Sequence, residues 1–219
     1  MNTIRLIITG ATGMVGEGVL LECLQSDNVE HVLSISRKPC GIEHPKLKEL
    51  IHSDFNNLSS IQSDLTGYDA CFFCAGVSSV GKDEATYREL TFTLTTNFAR
   101  TLSEIDTDMT FCYISGAGTD SSEKGRIMWA RVKGETENTL AGMPFKRVYN
   151  FRPAILEATK GAKNTLKYYK YFRWLIPIVK FIAPNYICSL KELATAMINT
   201  ALEGYEKSVI EVSDIHLLQ

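Results

Sequence analysis

Two rhythms of apolar residues alternate along this chain. Short runs in which almost every position is apolar recur at Ile4–Ile8, His31–Ser36, Leu47–Ser53, Tyr68–Gly76, Thr110–Ile114 and Arg147–Phe151. Between them, apolar residues return every third or fourth position. Met14, Val15, Val19, Leu20, Cys23 and Leu24 do so after the first run, and Leu90, Leu94, Phe98, Leu102 and Ile105 after the fourth. Continuous apolar runs predict strands buried on both faces, and the three-four spacing predicts helices with one packed face. The pattern predicts short helical structure over 58–65, longer helices over 85–105, 126–140 and 190–202, and a last strand over 209–212.

Strands alternating with helices call for a doubly wound parallel sheet with right-handed crossovers, three layers deep. Neither a repeat nor a low-complexity linker interrupts it, so residues 1–219 are expected to form one domain. Its core would be 1–155, and 156–219 would make a small C-terminal lid or substrate region over the carboxyl ends of the strands.

The turn after the first strand changes the picture from architecture to ligand. It reads Gly10-Ala11-Thr12-Gly13-Met14-Val15-Gly16. Gly10 lets the chain leave the strand sharply, Gly13 lets bare backbone approach a pyrophosphate, and Gly16 lets helix pack close to sheet. The helix N-terminus offers unpaired N–H groups and a positive dipole to the phosphates. At the end of the second strand, where an NAD site usually carries an acid, the chain has Ser36-Arg37-Lys38. Two cations and a hydroxyl favour NADP over NAD, although a solvated surface pair reads the same way. Asp54 and Phe55, ending the third strand, are adenine neighbours or, for Asp54, a helix N-cap.

The constellation resembles the short-chain dehydrogenase/reductases, in their extended and atypical branches. Within these it is similar to the Tat-interacting oxidoreductase-like and nucleotide-sugar-epimerase-like group. The resemblance is carried by the glycine turn, by Cys74-Ala75-Gly76 after the fourth strand and by Ser115 after the fifth. Lys133 on the next helix and Phe151-Arg152-Pro153 after the sixth strand complete it. It implies a Rossmann-type fold, with Cys74, Ala75, Gly76, Lys133, Arg152 and Pro153 joining the glycine turn around a dinucleotide. It also implies that Ser115 hydrogen-bonds a substrate oxygen and that Lys133 holds the nicotinamide ribose. The family's proton-donating tyrosine, four residues before that lysine, is here Trp129. An indole N–H donates a hydrogen bond but shuttles no proton near neutral pH.

Three readings stay open. The chain binds NADP without turnover, as a sensor or interaction protein; Tyr87, Tyr168, Tyr169 or Tyr171 replaces the donor; or the chemistry needs no strong acid. A nucleotide-sugar epimerase or dehydratase is a further alternative, for which the stretch after residue 152 is short. From the residues alone, Lys133 reads first as a surface helix lysine and Asn97 as a structural amide, while Ser115, which also reads as a strand-end hydroxyl, is favoured as a site by Gly116 and Gly118 beside it.

Charge and composition narrow the partners. A formal net charge of −2 gives no electrostatic footprint for nucleic acid. No apolar run approaches a membrane span, and nothing at the start reads as a signal peptide, so a cytoplasmic protein is expected. Cysteines at 23, 40, 71, 74, 112 and 188 are scattered through core elements. Cys71 and Cys74, three apart in a strand, face opposite sides, which argues against a redox or metal pair. The patch Tyr168–Trp174, aromatic and basic, reads as a packed helix face, a substrate lid, a membrane-surface anchor or an oligomer contact such as a homodimer.

Overall fold

A computed structural model describes residues 3–159, 164 and 182–219. Seven parallel strands form one sheet: β1 (Ile4–Thr9), β2 (Val29–Ser36), β3 (Leu47–Ile51), β4 (Ala70–Phe73), β5 (Thr110–Ile114), β6 (Arg147–Arg152) and, after a short pair, β9 (Val209–Glu211). Their order across the sheet is β3-β2-β1-β4-β5-β6-β9. The direction of winding reverses between β1 and β4, and that switch point is where such sheets leave a crevice for ligand.

Side chains alternate between two cores along each central strand. Leu6 and Ile8 of β1 and Phe72 of β4 point to one face, under α1 (Met14–Gln25), α5 (Leu190–Leu202) and α6 (Val212–Leu217). Ile7, Cys71 and Phe73 point to the other, where Phe98 and Leu102 of α3 (Leu94–Ile105) and Leu140 of α4 (Met128–Ala141) cover them. The result is the three-layer, Rossmann-type arrangement predicted from the apolar runs. Cys71 belongs to one core and Cys74 packs against the other, as period-two alternation requires.

Several boundaries differ for local reasons. β2 starts two residues earlier, at Val29, because Val29 is buried and pairs with Ile4. Residues Ser59–Leu65 are a 3₁₀ segment. The run expected as one helix over 85–105 opens with α2 (Glu84–Arg88), capped by Asp83 accepting from the Thr86 N–H at 2.7 Å, and passes through a π-helical turn at Glu89–Thr93 before α3. β7 (Ile155–Glu157) and β8 (Ile187–Ser189) form a separate parallel pair, and α6 follows β9 directly; neither was expected.

α5 starts from a capping box in which the Ser189 hydroxyl accepts from the Glu192 N–H and Glu192 reaches back to the Ser189 N–H. It lies tight on α1: a Cβ on Gly18 would stand 2.4 Å from the Leu190 side chain. Residues 187–217 thus extend the sheet and build one of its helical layers. The Tyr168–Trp174 patch lies outside the described residues.

Candidate dinucleotide cleft

The three glycines after β1 have separate jobs. Gly10 sits at φ +76°, and a Cβ there would stand 2.7 Å from the backbone of Cys74 and Ala75. A Cβ on Gly16 would stand 2.2 Å from the Gly10 carbonyl oxygen, so α1 can begin this close to β1 only without one. Gly13 is exposed, and a Cβ on it would meet nothing nearer than 3.5 Å. Its bareness serves whatever approaches from outside. As the N-cap of α1, Gly13 supplies no side-chain acceptor to the first amides of the helix. The loop is pinned to β4 through Thr9, whose hydroxyl oxygen accepts from the Ala75 N–H at 3.2 Å.

Two cavities meet over this loop and share Gly13, Cys74, Ala75 and Gly76. The smaller, of about 160 Å³, runs from Gly10, Thr12 and Gly13 to Ser36, Arg37 and Phe55. The larger, of about 370 Å³, runs from Met14, Val15 and Gly16 past Ile114 to Ser115, Lys133 and Pro153. Together they make one crevice across the carboxyl ends of β2, β1, β4, β5 and β6. Open backbone amides at its middle, a cation at one end and a lysine at the other fit an elongated diphosphate ligand.

At the Arg37 end, the buried Ser36 hydroxyl donates to the Lys38 carbonyl at 2.7 Å and fixes the turn that presents the exposed Arg37. Lys38 is exposed and lines neither cavity. Phe55 forms a wall and stacks on Phe98 at 5.6 Å between ring centres. Asp54 closes its own turn by accepting from the Asn56 N–H at 3.0 Å, and the N-cap of the following 3₁₀ segment is Leu58. Asn97 reaches the Asn56 side chain and so ties α3 to this turn.

At the other end, Lys133 Nζ donates to the Ser115 carbonyl. Burial drives its pKa down to about 8, against an opposing pull from Glu137. Ser115 is 6% exposed, and its hydroxyl donates to the Phe151 carbonyl at 3.1 Å. Trp129 lies one turn before Lys133, its ring 3.5 Å from where a Gly118 Cβ would be. Tyr87 is buried in the layer under α4, where burial raises its phenol pKa, and lines neither cavity. Tyr168, Tyr169 and Tyr171 lie outside the described residues.

Arg152 is placed differently from its neighbour Pro153. Its guanidinium turns away from the crevice and grips Glu137 with two hydrogen bonds, one of 3.0 Å, while also reaching the Ser121 hydroxyl at 2.6 Å. Val77, Ile114, Ala154 and Leu156, which wall the larger cavity, were not singled out from sequence. Ile114 ends β5, Val77 and Ala154 lie in the turns after β4 and β6, and Leu156 sits in β7.

A family model described as "NAD dependent epimerase/dehydratase family" matches residues 6–122, more than half of the chain. The chain belongs to this family. Among curated relatives, Protein fmp52 of Aspergillus clavatus is 27% identical over 216 residues, covering 94% of this chain and 90% of its own length. Protein FMP52 of Meyerozyma guilliermondii is 23% identical over 213 residues, covering 95% and 90%. Among solved structures, the Bordetella bronchiseptica enzyme WbmF in complex with NAD+ superposes with a TM-score of 0.68 at 15% identity, over 96% of this chain and 73% of that one. That likeness shows the fold. The family is described as NAD dependent, which supports a nicotinamide dinucleotide as the cofactor. The expectation of a cytoplasmic protein is overturned, because the curated relatives are named as mitochondrial. Among the described residues, no helix is long and apolar enough to cross a membrane.

Proposed function

We propose that this chain is an atypical short-chain dehydrogenase/reductase-like protein that binds NADP along the cleft, with oxidoreductase turnover weak or absent. The adenosine end lies at Ser36, Arg37 and Phe55, and the nicotinamide end at Ser115, Lys133 and Pro153. The single observation that carries the reading is Trp129, one helical turn from Lys133, at the place where a proton donor would act.

The residues of the cleft divide the work. Amides at the start of α1 take the diphosphate, with Gly13 admitting it to van der Waals distance. Arg37 meets a 2′-phosphate with a planar fork of donors, and no carboxylate stands at the end of β2 to repel it. Lys133 orients the ribose from a site where burial lowers its pKa to about 8. The nicotinamide supplies hydride chemistry when bound. The chain's shortfall is in proton supply: Ser115 and Lys133 are both engaged with backbone carbonyls, and an indole N–H such as that of Trp129 is a hydrogen-bond donor that exchanges no proton near neutral pH.

Calorimetry of the purified chain tests the binding half, with NADP expected to bind more tightly than NAD. Uptake of neither at millimolar concentration would overturn it. Absorbance of NADPH against a panel of carbonyl compounds tests the other half, and rapid oxidation by the natural chain would sink the claim of weak turnover.

A further inference from the structure

The crevice lysine has a competing carboxylate within reach. Glu137 follows Lys133 by one helical turn on α4, a spacing that sets two side chains side by side. It is 2% exposed, so its charge needs a partner inside the protein. Arg152, on β6, supplies that partner. Its Nε donates to one Glu137 oxygen at 3.0 Å and its terminal nitrogen donates to the other. The same guanidinium is held by the Ser121 hydroxyl at 2.6 Å and lies 3.4 Å from Glu211 on β9.

We propose that Arg152 is a positioning residue: by occupying both oxygens of Glu137 it withholds that carboxylate from Lys133 and leaves the ammonium directed at the Ser115 carbonyl in the cleft. This rests on the cleft reading only for the place of Lys133. Other groups packed around the pair are accounted for. From β5, Tyr113 is buried and held neutral, its phenol pKa driven far up. Tyr87, from α2, is likewise neutral, and Cys74 shares the larger cavity with its thiol pushed up to about 12 by burial. The remaining ion pairs of α4, Arg131–Glu84 and Arg88–Glu135, are satisfied with α2. Glu137 is thus the one anion in direct competition among the described residues, and Arg152 decides where it points.

The test titrates Lys133 on the full chain without nucleotide, from the pH dependence of its acylation by a small anhydride, read by peptide mass spectrometry. In Arg152→Gln, Glu137 turns to Lys133, and the midpoint rises by about one unit or more, which is about tenfold lower reactivity below the midpoint. In Glu137→Gln the attraction is gone and Arg152 keeps only the longer ion pair with Glu211, so the midpoint falls. Arg152→Lys keeps it near the natural value. A midpoint that stays or falls in Arg152→Gln overturns the proposal. If that variant does not fold, a midpoint in Glu137→Gln at or above the natural value does the same. Failure of NADP to bind would leave this measurement untouched, so the two readings fail separately.

Discussion

A Cβ on Gly16 would lie 2.2 Å from the carbonyl oxygen of Gly10, six residues earlier, while one on Gly13 would find its nearest atom at 3.5 Å. The two glycines therefore answer to different requirements. Gly16→Ala must push α1 off β1 against backbone, which cannot swing aside. The expected loss exceeds the ~1–3 kcal/mol usual for overpacking and is read as a large drop in melting temperature. Gly13→Ala is expected to melt within a few degrees of the natural chain yet to lose most of its NADP affinity in calorimetry. Equal loss of stability in both variants would mean that Gly13 is structural.

Arg37 is exposed at the rim of the smaller cavity, and on the proposed reading it serves a 2′-phosphate rather than the fold. Hydrogen bonds to charged groups contribute about 1.5–3 kcal/mol, so Arg37→Ala should weaken NADP by roughly ten- to a hundredfold. NAD, lacking the 2′-phosphate, should be held almost as before. The preference for NADP proposed for the natural chain should also shrink as salt is raised. Unchanged NADP affinity in the variant would send the discrimination elsewhere.

Trp129→Tyr places a phenol one turn from an amine whose pKa is about 8. General acid catalysis is worth about a hundred- to ten-thousandfold, and the variant should gain at least the lower figure in NADPH-dependent carbonyl reduction. The smaller ring also relieves the cover on Gly118. If the natural chain and the variant turn over alike, the proton comes from a different group.

The sheet and the glycine turn were legible because both are overdetermined. Ile7 and Ile8 enter opposite cores, and no polar residue fits either position; Gly16 has no space for any side chain. Elements held by few residues left no such trace. β7 and β8 are three residues each, with Ile155 half-exposed, and α6 is six. The π-helical turn at Glu89–Thr93 keeps nearly the same apolar spacing as the helix around it. In the cleft, strand ends and glycines located the walls, but not where side chains turn. Arg152 and Pro153 are adjacent in sequence, yet one faces Glu137 and the other the cavity. The reason is a buried carboxylate on another element, and a single sequence does not reveal that pairing.

Lys133 also leaves a mark on stability against pH. Its pKa falls from 10.5 unfolded to about 8 folded, so between these values the unfolded chain holds more protons than the native one. Stability from this group therefore rises with pH across that window, and the cost of burying the ammonium is in full force below pH 8. Buried thiols act in the opposite sense: burial raises the Cys74 and Cys112 pKa values above 9.0, so each favours unfolding as pH climbs past the unfolded value. The two contributions separate in a comparison of the natural chain with Lys133→Met. Denaturant midpoints of the variant should exceed those of the natural chain at pH 7, and the gap should narrow steadily toward pH 10. A constant gap would mean that the amine titrates alike in the folded and unfolded chain, and that its burial beside Ser115 carries no charge penalty.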